Sequence, residues 1–454
     1  MFVERFKSKI VSHFSYFIGS KGDAVVVDPE RNCSIYLKTA QRENMNIRYI
    51  FETHRHEDFV VGSRELAHLS GAEVYHGSWP DFTYGNVLRD NQEFRVGDVM
   101  VTAIHTPGHT PGCMSYIVAD LESGYEAVLV CTGDALFVND VGRTDFGGPD
   151  KRREWSESLF MSIVGRILPL GDHVILCPAH GSGSVCGSNI ASREWSTLGI
   201  ERLMNPVLRL SKEEFIEYKV NERHEYAPYF RLMEHYNIEG APFLGAGQNC
   251  KAFSAEEFRS QMDSGAVILD VRSPSAFGGA HIPSSYNIPV DVLSFAGWFL
   301  PFDKPVLAVT NDVDDLEYVS KSLASIGYDN VVGYLGGGLS SWYSIGYPIE
   351  SLRLVVFSQL KSWLDSGKEY FLLDVRSKDE YEEGHIKFAK NIYVGLLQER
   401  IKEIPKDLPI VVICGSGTRA SIGASILLRN GYKRVYNFLG AMRSWKELGY
   451  PLSK

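Results

Sequence analysis

The segment FETHRHEDF at residues 51–59 places imidazole and carboxylate side chains at a spacing typical of metal sites. His54, His56 and Asp58 alternate with other residues, and all three side-chain types bind metal ions. In a His-x-His-x-Asp-His pattern the next residue is a second-metal ligand, but here it is Phe59, which has no lone pair to donate. The segment alone therefore leaves open a damaged two-metal site, a one-metal site or no site.

Three further segments carry candidate ligands in similar surroundings. HTPGHTPG (105–112), CTGDALF (131–137) and CPAHG (177–181) contribute His109, Asp134 and His180. The candidate ligands lie where apolar runs give way to polar or glycine-rich turns, so they are expected at strand ends on a rigid sheet. A single histidine is more often structural than a ligand, but four such segments in this arrangement favour a metal site.

A second chemical centre is predicted at VVICGSGTRAS, residues 411–421. Cys414 follows an apolar run directly, and Gly415, Ser416, Gly417 and Thr418 precede Arg419 and a helix-like stretch; these loop residues are the predicted substrate-binding residues. Backbone N–H groups of such a turn converge on one point, and the helix N-terminus adds partial positive charge. The pattern predicts a thiolate nucleophile, with a guanidinium that holds an oxyanion such as thiosulfate or sulfite. The alternative is a buried cysteine before a glycine turn.

The second half of the chain is duplicated. AVILDVRSPSAFGGAHIP (266–283) and YFLLDVRSKDEYEEGHIK (370–387) align with an offset of 104 residues. The offset pairs Asp270 with Asp374, Arg272 with Arg376, and His281 with His385. Short apolar runs at 267–271, 306–309 and 331–334 alternate with amphipathic stretches such as 316–326, which predicts a parallel sheet with helices on both faces. We place the domains at 1–245, 246–350 and 351–454.

The first copy lacks the groups that would do chemistry in the second. At the offset of 104, Thr310 corresponds to Cys414 and Asp315 to Arg419, in the loop TNDVDD. This copy is therefore predicted to be non-catalytic. Residues 246–350 hold 5 basic and 12 acidic side chains, a net of −7, whereas residues 351–454 hold 17 and 11, a net of +6. The basic copy would attract anionic substrates, although both charges are equally compatible with solvated faces.

The length, composition and net charge of the chain indicate what kind of protein it is. A chain of 454 residues suggests about three domains, and 44% hydrophobic with 22% charged residues is an ordinary globular composition. The net charge of −10 argues against nucleic-acid binding. Seven scattered cysteines without a CxxC pair predict a reducing, cytoplasmic setting, and no apolar run reaches the length of a membrane span. A homo-oligomer is expected.

Residues 1–245 resemble the metallo-β-lactamase superfamily, whose fold is an αββα sandwich. ETHRHEDF, TPGHTPG and FVNDVGRTDFGG (137–148) are similar to its persulfide dioxygenase branch. The resemblance implies one Fe(II) ion (Fe²⁺) per chain, held by His54, His109 and Asp134. His56 is not a ligand in that branch, and the loss of a ligand at Phe59 leaves Asp58 and His180 as supporting groups. Arg143 would bind an anionic substrate or form an ion pair with an aspartate.

Residues 246–454 resemble two rhodanese domains, α/β sulfurtransferase modules with DVR, GHI and Cys-x-x-x-x-Arg elements. The whole chain resembles bacterial persulfide dioxygenase–rhodanese fusion proteins. That resemblance implies oxidation of low-molecular-weight thiol persulfides by O₂ to sulfite and thiol, and transfer of sulfane sulfur to sulfite or from thiosulfate, as in sulfide detoxification. Two alternatives stay open: a glyoxalase II-like zinc hydrolase of thioesters, and a redox-sensing or docking role for the C-terminal half.

Overall fold

The computed structural model describes residues 1–8, 10–124, 126–245, 250–367 and 369–454. The chain divides into two compact units, Met1–Leu244 with Ala324–Gly327, and Gly245–Leu323 with Tyr328–Lys454. The domain boundaries after residues 245 and 350 stay predictions. Residues 246–249, which follow the first predicted boundary, lie outside the described residues.

The first unit contains two six-stranded sheets and one small two-stranded sheet. The first sheet has the order β1-β2-β3-β4-β5-β6 and contains Phe2–Lys7 (β1), Phe14–Ser20 (β2), Asp23–Val27 (β3), Asn46–Phe51 (β4), Glu73–His76 (β5) and Asn86–Val87 (β6). The second has the order β14-β13-β10-β9-β8-β7 and contains Gln92–Val96 (β7), Val99–His105 (β8), Met114–Asp120 (β9), Ala127–Gly133 (β10), Ile175–Pro178 (β13) and Ser196–Thr197 (β14). Leu136–Phe137 (β11) and Asp140–Val141 (β12) pair separately.

The inner faces of the two large sheets form one hydrophobic core. Phe51 of β4 is buried against Tyr116 of β9, with ring centroids 4.8 Å apart. Alternate residues of β8, such as Val99 and Val101, belong to the same core, as expected for strands with one face turned inward. This packing fixes the strands whose ends carry the candidate ligands.

Helices cover the outer faces of both sheets. Tyr36 and Leu66 pack on the first sheet, and Leu159 and Phe215 pack on the second, which gives four layers. The helices of this unit are Ser34–Arg42 (α1), Ser63–Ser70 (α2), Pro149–Ser162 (α3), Leu198–Met204 (α4), Lys212–Asn221 (α5) and Phe230–Glu239 (α6), with short helical turns at Ile163–Ile167, Leu168–Leu170 and Val207–Arg209. Across the described part of the chain, no helix has the length and apolarity needed to cross a bilayer.

The second unit contains two parallel five-stranded sheets with the same strand order. The first sheet, β15-β19-β18-β16-β17, is built from Lys251–Phe253 (β15), Val267–Asp270 (β16), Tyr286–Asn287 (β17), Val306–Val309 (β18) and Val331–Leu335 (β19). Its helices are Ala255–Asp263 (α7), Pro274–Gly279 (α8), Ala296–Phe299 (α9), Asp315–Ser325 (α10) and Gly338–Ser344 (α11), with a short turn at Val290–Phe295. The predicted apolar runs and the predicted helix at 316–326 agree with these elements to within one residue.

The second sheet, β20-β24-β23-β21-β22, repeats that arrangement. Its strands are Arg353–Val355 (β20), Phe371–Asp374 (β21), Lys390–Asn391 (β22), Ile410–Ile413 (β23) and Val435–Phe438 (β24). Its helices are Phe357–Ser366 (α12), Lys378–Glu383 (α13), Thr418–Arg429 (α14) and Ala441–Glu447 (α15), with turns at Val394–Leu396 and Ile401–Glu403. The duplication seen in the sequence is thus a duplication of topology.

The shared DVR motif has the same structural task in both copies. Arg272 donates through Nε and Nη2 to Asp270, and Arg376 donates in the same way to Asp374. All four residues are buried, and a buried pair with two parallel hydrogen bonds satisfies both charges. The motif therefore builds the end of a strand in each copy and says nothing by itself about catalysis.

Candidate functional site

Strand ends of both large sheets in the first unit bring the predicted ligands together. His54 follows β4, His109 follows β8, and Asp134 follows β10. Asp134 Oδ2 lies 3.8 Å from His54 Nε2 and 3.5 Å from His109 Nε2, and the two imidazole rings are 4.8 Å apart. All three side chains are buried. Residues separated by 80 positions in the chain thus form one cluster.

Hydrogen bonds to the outer ring nitrogens orient the two histidines. Nδ1 of His109 donates to the carbonyl oxygen of Arg143 over 2.8 Å, and Nδ1 of His54 lies 2.9 Å from Oγ1 of Thr53. Asp28 holds Thr53 in turn through both its backbone N–H and its hydroxyl. Such contacts fix the tautomer that leaves Nε2 free for a metal.

The electrostatics of the cluster suit a bound cation. Burial raises the pKa of Asp134 to about 6, and burial together with the nearby charge of Asp134 raises the pKa of Asp58 to about 8. Among the described residues nothing hydrogen-bonds to the carboxylate oxygens of either aspartate or to Nε2 of His109. Buried polar atoms normally have partners. Because carboxylate and imidazole are metal-binding groups, the donor set fits a metal ion.

Phe59 occupies the place where the two-metal pattern has a histidine. Its ring is buried, 4.1 Å from the ring of His13 and 4.5 Å from that of His56. Donor atoms of His56, Asp58 and His180 nevertheless lie within 4.8 Å of one another. Nε2 of His56 is 3.0 Å from Asp28, an interaction that competes with metal binding. The single-metal assignment therefore stays a prediction to be tested by metal content.

Arg143 forms the ion pair that was one of its two predicted roles. Its Nε and Nη2 donate to the two carboxylate oxygens of Asp145, each over 2.7 Å, and Nη1 lies within 3.4 Å of the carbonyl oxygens of Val185 and Glu225. Its backbone carbonyl orients His109. Arg143 thus shapes the site through its backbone, and binding of substrate by its guanidinium stays a prediction.

Two residues near the metal cluster were not predicted as site residues. Glu57 forms a group with His54 and His109, and Cys186 forms one with Asp134 and His180. Both are buried. Glu57 stands between two candidate ligands in the sequence, at a position to which the His-x-His-x-Asp pattern assigns no role. Cys186 lies six residues after His180 in a glycine- and serine-rich stretch, a distance that no pattern predicts.

The cysteine loop of the second unit connects β23 to α14. Cys414 is buried, and its sulfur accepts a hydrogen bond from the backbone N–H of Gly417 over 3.0 Å. Gly417 has a φ of 103°, a conformation that favours glycine and turns this N–H toward the sulfur. A backbone N–H that donates to the sulfur is the kind of contact that the loop pattern predicts, and the thiolate itself stays a prediction.

Glu380 of α13 contacts the arginine that follows this loop, and the sequence analysis missed it. Its carboxylate oxygens accept hydrogen bonds from Nη1 and Nη2 of Arg419 over 2.6 and 2.8 Å. Although burial opposes ionisation, Arg419 lowers the pKa of Glu380 to about 2. The pair holds the guanidinium beside the loop, where Nη2 would lie 3.4 Å from a Cβ at Gly415. Glu380 is thus placed to position Arg419 toward an anion.

The corresponding loop of the first copy is held by its own side chains. Oγ1 of Thr310 donates to the carbonyl oxygen of Asp312 over 2.9 Å and lies 3.4 Å from a carboxylate oxygen of Asp315. At the offset of 104, Glu380 corresponds to Ala276, so the arginine and its partner are both missing. This copy also contacts the helix that follows Cys414: Asn287 accepts a hydrogen bond from Ser421 of α14 over 2.5 Å. The absence of catalysis in this copy stays a prediction.

We expect that Thr310→Cys will not give the first copy sulfurtransferase activity. Carboxylates of Asp312, Asp314 and Asp315 would surround the new thiol, disfavour its ionised form and repel thiosulfate. Adding Asp315→Arg supplies a donor but no equivalent of Glu380. Sulfur transfer measured in a Cys414→Ser background should therefore stay at the baseline for both variants. Transfer near the wild-type rate from Thr310→Cys alone would contradict a structural role for this copy.

The profiles of two protein families match three segments of the chain. The metallo-β-lactamase superfamily profile matches residues 9–180, and the rhodanese-like domain profile matches twice, at 254–345 and 356–448. A crystal structure of a metallo-β-lactamase from Staphylococcus aureus subsp. aureus COL is 29% identical to this chain, with a TM-score of 0.66; the match covers 74% of this chain and 98% of that one. The predicted fold class is confirmed.

Two relatives each match less than half of the chain. The mitochondrial persulfide dioxygenase ETHE1 of Homo sapiens is 29% identical over 218 residues, which are 45% of this chain and 74% of that protein. The hydroxyacylglutathione hydrolase GloC of Haemophilus influenzae is 26% identical over 208 residues, which are 41% of this chain and 87% of that protein. The names of these two relatives describe two different reactions, oxidation of persulfides and hydrolysis of hydroxyacylglutathione.

Proposed function

Because the chain joins one metallo-β-lactamase-superfamily domain to two rhodanese-like domains, we propose that it oxidises thiol persulfides at the first unit and transfers sulfane sulfur at Cys414. The family matches and the relatives place it among enzymes of sulfur metabolism that act on small sulfur compounds. The finer assignment is supported by one observation above all. His54, His109 and Asp134 present two imidazoles and one carboxylate at a single buried point.

That donor set supports Fe(II) as the resident ion, with one ion per chain. Two histidines and one carboxylate on one side of a metal are typical of non-haem iron enzymes that use O₂. Bound Fe(II) would supply adjacent open positions for the persulfide sulfur and O₂. The chain itself orients the imidazoles through Arg143 and Thr53 and keeps bulk water from the buried cluster. The overall reaction is RSSH + O₂ + H₂O → RSH + SO₃²⁻ + 2 H⁺.

At the second centre, Cys414 would act as a nucleophile on sulfane sulfur. With thiosulfate, the cysteine thiolate forms a bond to the outer sulfur while the sulfur–sulfur bond of thiosulfate breaks, releasing sulfite and leaving a cysteine persulfide. The reverse reaction makes thiosulfate from the sulfite produced at the first centre. Arg419, held by Glu380, would bind the oxyanion in either direction.

Oxygen uptake by iron-loaded protein tests the first activity. With at least one member of a panel of glutathione, coenzyme A, cysteine and bacillithiol persulfides, the sum of the sulfite and thiosulfate formed should equal the O₂ consumed. Metal analysis of protein made without added zinc should give close to one iron per chain. The absence of oxygen uptake with every persulfide tested, from protein that retains its iron, would overturn the dioxygenase assignment.

A zinc hydrolase of thioesters is the second candidate for the first unit. Two observations favour it: the similarity to a hydroxyacylglutathione hydrolase and the second donor group of His56, Asp58 and His180. It requires two metal ions per chain, with His180 bound to one of them, and turnover of glutathione thioesters. Two equivalents of zinc together with thioester hydrolysis would decide for this candidate and against the single-iron site.

A further inference from the structure

The carboxylate of Glu57 faces the proposed metal centre, although the His-x-His-x-Asp pattern gives its position no role. Glu57 is 1% exposed. Its Oε2 lies 3.6 Å from Nε2 of His109, almost the distance of 3.5 Å that separates Asp134 from the same nitrogen. Donor atoms of His54, Glu57 and His109 all lie within 4.8 Å of one another. Adjacent ligands of one metal ion are separated by about 3 to 3.5 Å.

Arg55 fixes one oxygen of this carboxylate and leaves the other for the centre. Nη2 and Nε of Arg55 donate to Oε1 of Glu57 over 2.9 and 3.2 Å. Within the described parts of the chain, Oε2 has no hydrogen-bond partner. The guanidinium of Arg55 is itself held over the ring of Trp79, 5.1 Å from its centroid, and approaches Glu234. The unpartnered oxygen is therefore aimed at the histidines by a rigid support.

We propose that Glu57 is a further ligand of the metal, through Oε2. The centre then holds two imidazoles and two carboxylates, from His54, His109, Asp134 and Glu57. A buried carboxylate oxygen without a hydrogen-bond partner is costly unless something positive binds it, and Arg55 uses the other oxygen of Glu57. Arg55 holds one carboxylate oxygen of Glu57 in place, and the metal ion would bind the other oxygen. This inference rests on the proposed metal centre but not on the identity of the substrate.

Metal titration of Glu57→Gln, without persulfide, tests the inference. Glutamine keeps the size of the side chain and can still accept a hydrogen bond from Arg55, but its neutral amide is a poor metal ligand. Affinity for Fe(II) and for Co(II) should fall by about 100-fold or more, since the loss of an outer partner alone costs roughly 10 to 100-fold. The rise in Tm that the metal produces in the wild type should shrink accordingly. The visible absorption spectrum of the Co(II) form should also change, because it reports the number of ligands.

Glu234→Gln is the matched control, since Glu234 also contacts Arg55, over 3.4 Å, but belongs to none of the donor groups. It removes the same charge beside the same guanidinium and should keep metal affinity and spectrum. Glu57→Asp replaces the glutamine variant in this test if that variant does not fold. It keeps the charge but shortens the side chain by one methylene, which draws the carboxylate back from the metal. Metal binding should therefore also weaken, and the Co(II) spectrum should change.

An unchanged Co(II) spectrum in the variants of Glu57 would overturn the inference, whether affinity is unchanged or moderately reduced. In that case Glu57 would be a partner of Arg55 only. This outcome is distinct from failure of the proposed function, in which the wild-type protein itself would bind no metal or consume no oxygen with any persulfide.

Discussion

His109→Ala is expected to remove both the bound metal and persulfide-dependent oxygen uptake. His109 is fully buried, its Nδ1 is bound to the carbonyl oxygen of Arg143, and its Nε2 points at the carboxylates of Asp134 and Glu57. Alanine deletes the donor nearest to both carboxylates. Iron content should fall to background, and the oxygen-uptake rate should fall by a factor of roughly 10³ or more, because the proposed oxidation depends on the bound metal. Metal analysis and an oxygen electrode measure the two effects.

Circular dichroism and the sulfurtransferase assay separate this loss from unfolding. The variant should keep its sulfur-transfer rate, because Cys414 lies in the other unit. His173→Ala is the control for loss of a histidine: its side chain is exposed and belongs to no donor group. Retention of full iron and oxygen uptake by His109→Ala would contradict the whole assignment of the centre.

Cys414→Ser is expected to abolish sulfur transfer and to leave oxygen uptake intact. The hydroxyl of serine is not ionised near neutral pH and is a poor acceptor of sulfane sulfur, so transfer from thiosulfate to cyanide or a thiol should fall by a factor of roughly 10³ or more. The substitution leaves the side chains of the proposed metal centre unchanged. With a persulfide and O₂, the variant should therefore accumulate sulfite where the wild-type protein yields thiosulfate.

Cys250→Ser is the matched control in the same unit. Cys250 belongs to the first copy and is only partly buried, and its sulfur lies 3.8 Å from the carbonyl oxygen of Val331. This variant should transfer sulfur at the wild-type rate. Equal thiosulfate production by Cys414→Ser and wild-type protein would show that another group carries the sulfur.

The sequence predicts the elements and the strand-end positions because these depend on local pattern. Short apolar runs followed by polar or glycine-rich turns predict β4, β8, β10 and β23 and place His54, His109, Asp134 and Cys414 at their ends. A rigid sheet then brings its strand ends together whatever their separation in the chain. The duplication also fixes the topology of the second unit, since two copies with the same pattern fold to the same strand order.

The supporting contacts could not be predicted, because they depend on where loops return in space. Glu380 reaches Arg419 across 39 residues, and Asp28 reaches Thr53 across 25. Glu57 was passed over because a motif records which positions recur and not where the intervening side chains point. Here Arg55 turns the side chain of Glu57 toward the histidines.

The buried Asp270–Arg272 pair, which is preserved in a copy without the cysteine, has a consequence for surveys of genomes. That pair and its counterpart Asp374–Arg376 have the same hydrogen bonds, although only one of the two loops holds a nucleophile. A buried pair of this kind stabilises the end of the strand whether or not the following loop holds a nucleophile. A count of sulfurtransferase domains based on the motif would therefore include both copies in this chain, although only one of them has a cysteine at the loop position.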